Sequence, residues 1–113
     1  MQPRMGGIIQ ANIPDIETLF ASYMPYVWGG GLFIPSKQPV KLGEEVFVLT
    51  TLPEQTQKIP LTGKVIWVSQ KQNGIKPQGF GIQLSGEKGV YFKNEADRLV
   101  AGLKSEGRKS YTM

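Results

Sequence analysis

The 113-residue chain contains neither cysteine nor histidine. The first absence excludes disulfides, thiolate metal sites, iron–sulfur clusters and a cysteine nucleophile. The second removes the commonest general base and metal ligand, and with them every Ser-His or Cys-His constellation. Arginine is scarce and confined to Arg4, Arg98 and Arg108. Because arginine is the side chain best suited to gripping phosphate or guanine bidentately, this scarcity argues against a nucleotide or nucleic-acid ligand. No apolar run reaches the ~18 residues a membrane-spanning helix requires. The opening MQPRMGGIIQANIP lacks the apolar core and small-residue cleavage site of a signal peptide. The expectation from these absences is a non-enzymatic, soluble, cytoplasmic protein without metal or cofactor.

The length fits one domain, since domains usually run ~100–150 residues. Hydrophobic residues make up 40% of the chain, enough for a single core. One domain is therefore expected over residues 1–113, with a mobile basic tail from about 104 to 113. The net charge of +4 is unevenly spread. Residues 1–57 carry three basic and five acidic groups, and residues 58–113 carry ten and four.

Local pattern divides the chain into elements. Ile8 to Ile13 reads as a short strand. Pro14 suits a first helical turn, where its missing N–H costs nothing, and Asp15 and Glu17 follow in that turn. Ile16, Leu19, Phe20 and Tyr23 recur at helical spacing, and Pro25 is expected to end the helix. From Gly29 to Leu84 the pattern is β. Strands are expected at Leu32–Ile34, Glu45–Leu52, Leu61–Gln70 and Gln78–Leu84. Val65 and Trp67 should share one face of the third of these, with Lys64, Ile66 and Val68 on the other. Phe80, Ile82 and Leu84 should oppose Gly79, Gly81 and Gln83. Asn73-Gly74 marks a hairpin between the last two strands. Beyond Ser85, the expected helix cap, Phe92, Ala96, Leu99, Val100 and Leu103 form one helical stripe. Short strands joined by hairpins, with 14 glycines for the corners, predict a mainly β fold. The specific expectation is a small barrel or sandwich with a short N-terminal helical insert and a C-terminal helix.

Motifs that resemble catalytic or phosphate sites are better read as structure. Gly29-Gly30-Gly31 leads into a strand, not a helix N-terminus, and no basic residue occurs between positions 5 and 36. Gly79-Phe80-Gly81 lacks the third glycine of a dinucleotide fingerprint, because that position is Leu84. Ser85 to Lys88 spells SxxK, but no partner motif follows. Glu95 and Asp97 read as a solvated helix face.

The anomaly is Phe20 to Phe33. It holds five of the eleven aromatics and no charge beside Met24, Pro25 and Val27. A short helix and a strand can each turn only one face inward. Two readings stay open, a core cluster or an exposed protein-contact surface. Tyr23, Met24, Tyr26 and Trp28 are the members expected to face outward.

The ordered segments GGGLFIP, LGEEVFVLTTLPE, KIPLTGKVIWV and GFGIQL resemble the PilZ domain family over roughly residues 8–103. That resemblance implies a six-stranded β-barrel with a C-terminal helix. Most members bind cyclic di-GMP through an RxxxR arm and a (D/N)xSxxG motif. Here Gly31 matches the motif's final glycine, which puts Tyr26 and Trp28 at its two polar positions. Arg4 is followed four residues on by Ile8, so both motifs are missing. A pilus-assembly branch of the family also lacks them and carries a helical insert with a Tyr-Met-Pro segment, here Tyr23-Met24-Pro25. The resemblance implies a monomeric adaptor in type IV pilus biogenesis and twitching motility that does not bind cyclic di-GMP. Its partners would be a pilus extension ATPase of the PilB type and an EAL-domain protein of the FimX type. Contact residues would be Tyr23, Met24, Pro25, Tyr26 and Trp28, with Tyr111 and Met113 in the tail. The alternative is a β-barrel that stacks cyclic di-GMP or single-stranded nucleic acid on its aromatics.

Overall fold

The computed structural model describes residues 8–69 and 78–101. The chain runs β1 (Ile8–Asn12), α1 (Ile16–Ser22), β2 (Tyr23–Met24), β3 (Gly31–Pro35), β4 (Glu45–Thr51), β5 (Ile59–Ser69), β6 (Gly79–Ser85) and α2 (Gly86–Val100). The six strands form one mixed sheet in the order β1-β4-β5-β6-β3-β2. Only the β1–β4 pairing is parallel. The mainly β expectation, with an N-terminal and a C-terminal helix, is met. The expected hairpin turn at Asn73-Gly74 and Leu103 of the helical stripe lie outside the described residues.

Alternation in the strands builds the core on the sheet's inner face. Val46 and Val48 of β4 meet Leu61 and Val65 of β5, and Phe80, Ile82 and Leu84 of β6 continue the layer, all buried. The last three oppose Gly79, Gly81 and Gln83 as their spacing predicts. The stripe Phe92, Ala96 and Val100 brings α2 onto this core, and Leu19 does the same for α1. Thr50 is buried too, and its hydroxyl donates to the Ala11 carbonyl, tying β4 to β1.

Three local expectations are corrected. Pro14 stands before the helix, not in its first turn. Asp15 is the N-cap, and its carboxylate accepts the Thr18 N–H at 2.8 Å. That hydrogen bond to the charged form lowers the Asp15 pKa below the usual aspartate value. The helix then ends at Ser22, not at Pro25, because Tyr23 turns to extended backbone and pairs with Leu32 of β3. Ser85 does occupy the N-cap of α2, but its hydroxyl donates to the Thr62 carbonyl at 3.1 Å and makes no capping bond.

The fourth correction concerns β5. Val65 pairs with Ile82 while Trp67 pairs with Gly81, so Ile66 is an extra residue in a bulge. Val65 and Val68 therefore face the core, and Trp67 joins Ile66 on the outer face. There Trp67 lies 5.4 Å from Phe33, ring centre to ring centre. The glycines of β6 make room for this contact. A Cβ at Gly79 would run into the Ile34 carbonyl and sit 2.7 Å from Phe33 Cζ, and one at Gly81 would sit 2.8 Å from Met24 Cε.

Phe80 is fully buried, so Phe80→Ala should cost about 3–5 kcal/mol in chemical denaturation. Trp67 is only partly buried, and its truncation should cost clearly less. Gly79→Ala should destabilise by about 1–3 kcal/mol through overpacking. An unchanged midpoint for Gly79→Ala would mean that the β3–β6 approach is looser than described.

Candidate functional site

The aromatic segment splits into a buried half and an exposed half. Tyr23 and Met24 are only 2% and 3% exposed, which corrects the expectation that both face outward. In β2, Tyr23 points to the inner face and Met24 to the outer one. Tyr23 lies edge-on to Phe92, with ring centres 6.5 Å apart. Met24 reaches under the sheet's outer surface against Gly31 and Gly81. Phe33 is buried there as well, beside Trp67. Val27 folds back over Gly31 and shares this outer-face cluster.

What remains outside is Pro25, Tyr26 and Trp28. Tyr26 is 57% exposed and Trp28 is 87% exposed, the largest value for any big apolar side chain among the described residues. They sit on the turn between β2 and β3. The backbone of that turn is firmly held. The Val27 N–H donates to the Met24 carbonyl at 3.2 Å, and the Gly30 N–H donates to the Val27 carbonyl at 2.7 Å. Gln83 Nε2 donates to the Trp28 carbonyl at 2.7 Å, and the Leu84 N–H donates to the Gly30 carbonyl at 2.9 Å. Gly29 and Gly30 take φ of +82° and +91°, a region glycine enters without strain. The triple glycine is thus a turn that opens a strand, as its context predicts.

Tyr111 and Met113 lie outside the described residues, as does Arg4. Ile8, the other arm position, is an exposed aliphatic side chain on β1. A shallow hollow of about 220 Å³ between the β4–β5 loop and α2 is lined by Lys58, Lys88, Tyr91 and neighbouring polar groups, and takes in no residue of the aromatic segment.

Two residues escaped the sequence reading. Asp97 is not simply solvated. It accepts the Tyr23 O–H at 2.6 Å and pairs with Lys93 Nζ at 2.9 Å. Helical spacing alone could have paired Lys93 with Asp97, but nothing local connects the pair to Tyr23, which lies 74 positions before Asp97. Glu95 meets Arg98 at 2.7 Å on the same helix. Lys64 is the second omission. It pairs in register with Gln83, whose side chain holds Trp28, so β5 brings a cation one strand from an aromatic segment that carries none of its own.

The exposed aromatic turn thus sits on a small mixed β-sheet with a helix across its inner face. The chain belongs to the PilZ domain family, whose model matches residues 2–102. PilZ domains are in general non-enzymatic binding domains. No curated protein matches the chain significantly by sequence. Among the described residues no helix is long and apolar enough to cross a membrane.

Burial raises the Tyr23 pKa above the usual tyrosine range, and the hydrogen bond to Asp97 and its negative charge push the same way. The fold therefore favours the neutral phenol. Above about pH 10 an unfolded tyrosine gives up its proton while the native one keeps it, so stability falls as pH rises through that window. Tyr23→Phe should lower stability by about 1 kcal/mol at neutral pH and flatten the alkaline decline. Tyr23→Ala should cost about 3–5 kcal/mol, as a core truncation does. Unfolding curves for both variants from pH 7 to pH 11 check this, and an unaltered alkaline slope in Tyr23→Phe would assign the decline to other groups.

Proposed function

We propose that the protein is a cytoplasmic, non-enzymatic adaptor that binds a protein partner through the Tyr26–Trp28 turn and does not bind cyclic di-GMP. The observation that carries this reading is an indole 87% exposed on a backbone held by hydrogen bonds at both ends. Rigid presentation of a large amphipathic ring lowers the ordering cost of binding, and tryptophan and tyrosine are frequent hot spots. Where cyclic di-GMP binders of the family place Asp or Asn and Ser, this chain has Tyr26 and Trp28, and where the arm's second arginine stands it has Ile8. A dianionic ligand needs charge-assisted donors that those side chains lack.

The partner proposed is a pilus extension ATPase, with an EAL-domain protein as a second partner and Tyr111 and Met113 of the tail as further contact residues. This follows from the likeness to the pilus-assembly branch of the family, the Tyr23-Met24-Pro25 segment above all. Tyr23 and Met24 serve that surface from beneath, since both are buried, while Pro25, Tyr26 and Trp28 form it. A second reading, a stacking platform for nucleotides or single strands, is favoured by one feature only, Lys64 beside Gln83.

Trp28→Ala combined with Tyr26→Ala should leave the unfolding midpoint nearly unchanged and weaken binding of the ATPase about thirtyfold, or ~2 kcal/mol. Calorimetric titration of the wild-type protein with the ATPase, with cyclic di-GMP and with short oligonucleotides separates the readings. Undiminished ATPase binding by the folded double variant would remove the turn from the interface. Micromolar binding of either nucleotide ligand, lost in Lys64→Ala, would favour the stacking platform.

A further inference from the structure

The turn that carries Tyr26 and Trp28 has two feet, and both stand on one pair of residues in α2. At the first foot the Tyr23 hydroxyl donates to Asp97 Oδ1 at 2.6 Å. At the second, the methylene stem of Lys93 lies against Gly30, where an added Cβ would come within 3.2–3.4 Å of three Lys93 carbons. Lys93 and Asp97 are themselves joined, Nζ to Oδ2 at 2.9 Å, one helical turn apart. Asp97 thus uses one carboxylate oxygen for the turn's entry and the other for the lysine that covers its exit.

The sheet holds each foot as well, Tyr23 by its pairing with Leu32 and Gly30 by the Leu84 N–H, but over a short span. β2 has only two residues, and a pairing that short is weak by itself. Gly30 precedes β3 and holds the sheet through a single carbonyl, accepting from the Leu84 N–H. The helix therefore supplies a lateral restraint at each end of a six-residue turn, Pro25 to Gly30, that carries the exposed rings of Tyr26 and Trp28.

We infer that the Lys93–Asp97 pair is a clamp that holds the Tyr26–Trp28 turn in its presenting geometry, so that both are positioning residues for the contact surface. Its consequence for binding rests on the adaptor reading above, whereas its effect on the turn does not.

The test reads the turn directly. Trp67→Phe leaves Trp28 as the sole tryptophan of the chain, and its time-resolved fluorescence anisotropy reports nanosecond motion of that ring. In this background Asp97→Ala and Lys93→Ala should enlarge the fast depolarising component. Lys93→Met, which keeps the stem and loses the charge, should have a smaller effect. Arg98→Ala breaks the neighbouring pair with Glu95, which lies on the same helix but not at the turn, and should leave Trp28 unchanged. Affinity for the pilus ATPase should fall about fivefold in the two alanine variants, the size of one part-buried hydrogen bond. If Asp97→Ala does not fold, Tyr23→Phe removes the same bond and keeps the ring. Unchanged Trp28 motion in folded Asp97→Ala and Lys93→Ala overturns the clamp, as does equal mobilisation by Arg98→Ala. Greater Trp28 motion with undiminished ATPase affinity leaves the clamp standing and removes the turn from the interface.

Discussion

Burial of β3 on both faces is the constraint on which the rest of the domain depends. Leu32 and Ile34 enter the main core, and Phe33, between them, is buried on the opposite side. Its ring fits there because β6 offers Gly79, where a Cβ would sit 2.7 Å from Phe33 Cζ, while Gly81 makes room for Met24. It stays dry only because Trp67, Met24 and Val27 close around these positions. Trp67 reaches that face through the bulge at Ile66. The outer cluster thus needs a bulge in one strand, glycines in a second and an insert folded over a third. It is a second, smaller core, and it takes Phe33, Met24 and Val27 out of the aromatic segment.

The same arrangement explains why the other half is exposed. Met24 and Val27 turn inward on either side of Pro25 and Tyr26, and the backbone of Trp28 is fixed by Gln83. With both ends of the turn committed, Tyr26 and Trp28 are left on its outer side. Exposed aromatics on a floppy loop would lose much of their binding energy to ordering, whereas here the backbone cost is met on folding. Tyr23 adds a polar restraint inside an apolar contact. Its ring packs on Phe92, and its hydroxyl finds Asp97 at the rim, where the carboxylate keeps access to solvent and to Lys93.

Charge distribution along the chain foretells little about charge distribution in space. Phe20 to Phe33 contains no charged residue. Yet the fold sets Lys93 against Gly30 and Lys64 beside Gln83, each from an element more than thirty positions downstream. Cations absent from the sequence neighbourhood of the aromatics are thus supplied by the elements that flank the segment in space.

Several features were determined by the sequence alone. Two-residue alternation placed Phe80, Ile82 and Leu84 in the core, and 3.6-residue spacing did the same for Phe92, Ala96 and Val100. These patterns are local and repeat several times, so each position is supported by its neighbours. Only the tertiary structure decided the rest. In Val65-Ile66-Trp67-Val68 every residue is apolar, so no alternation exists to reveal a bulge. Local pattern turns Tyr23 and Met24 outward, yet both are buried, because the helix stops where β3 captures the chain, and that partner lies beyond the turn. Whether Tyr23, Met24, Tyr26 or Trp28 faces water depends on what packs against each, and those groups come from β5, β6 and α2. Burial is a property of distant neighbours, which local spacing does not encode.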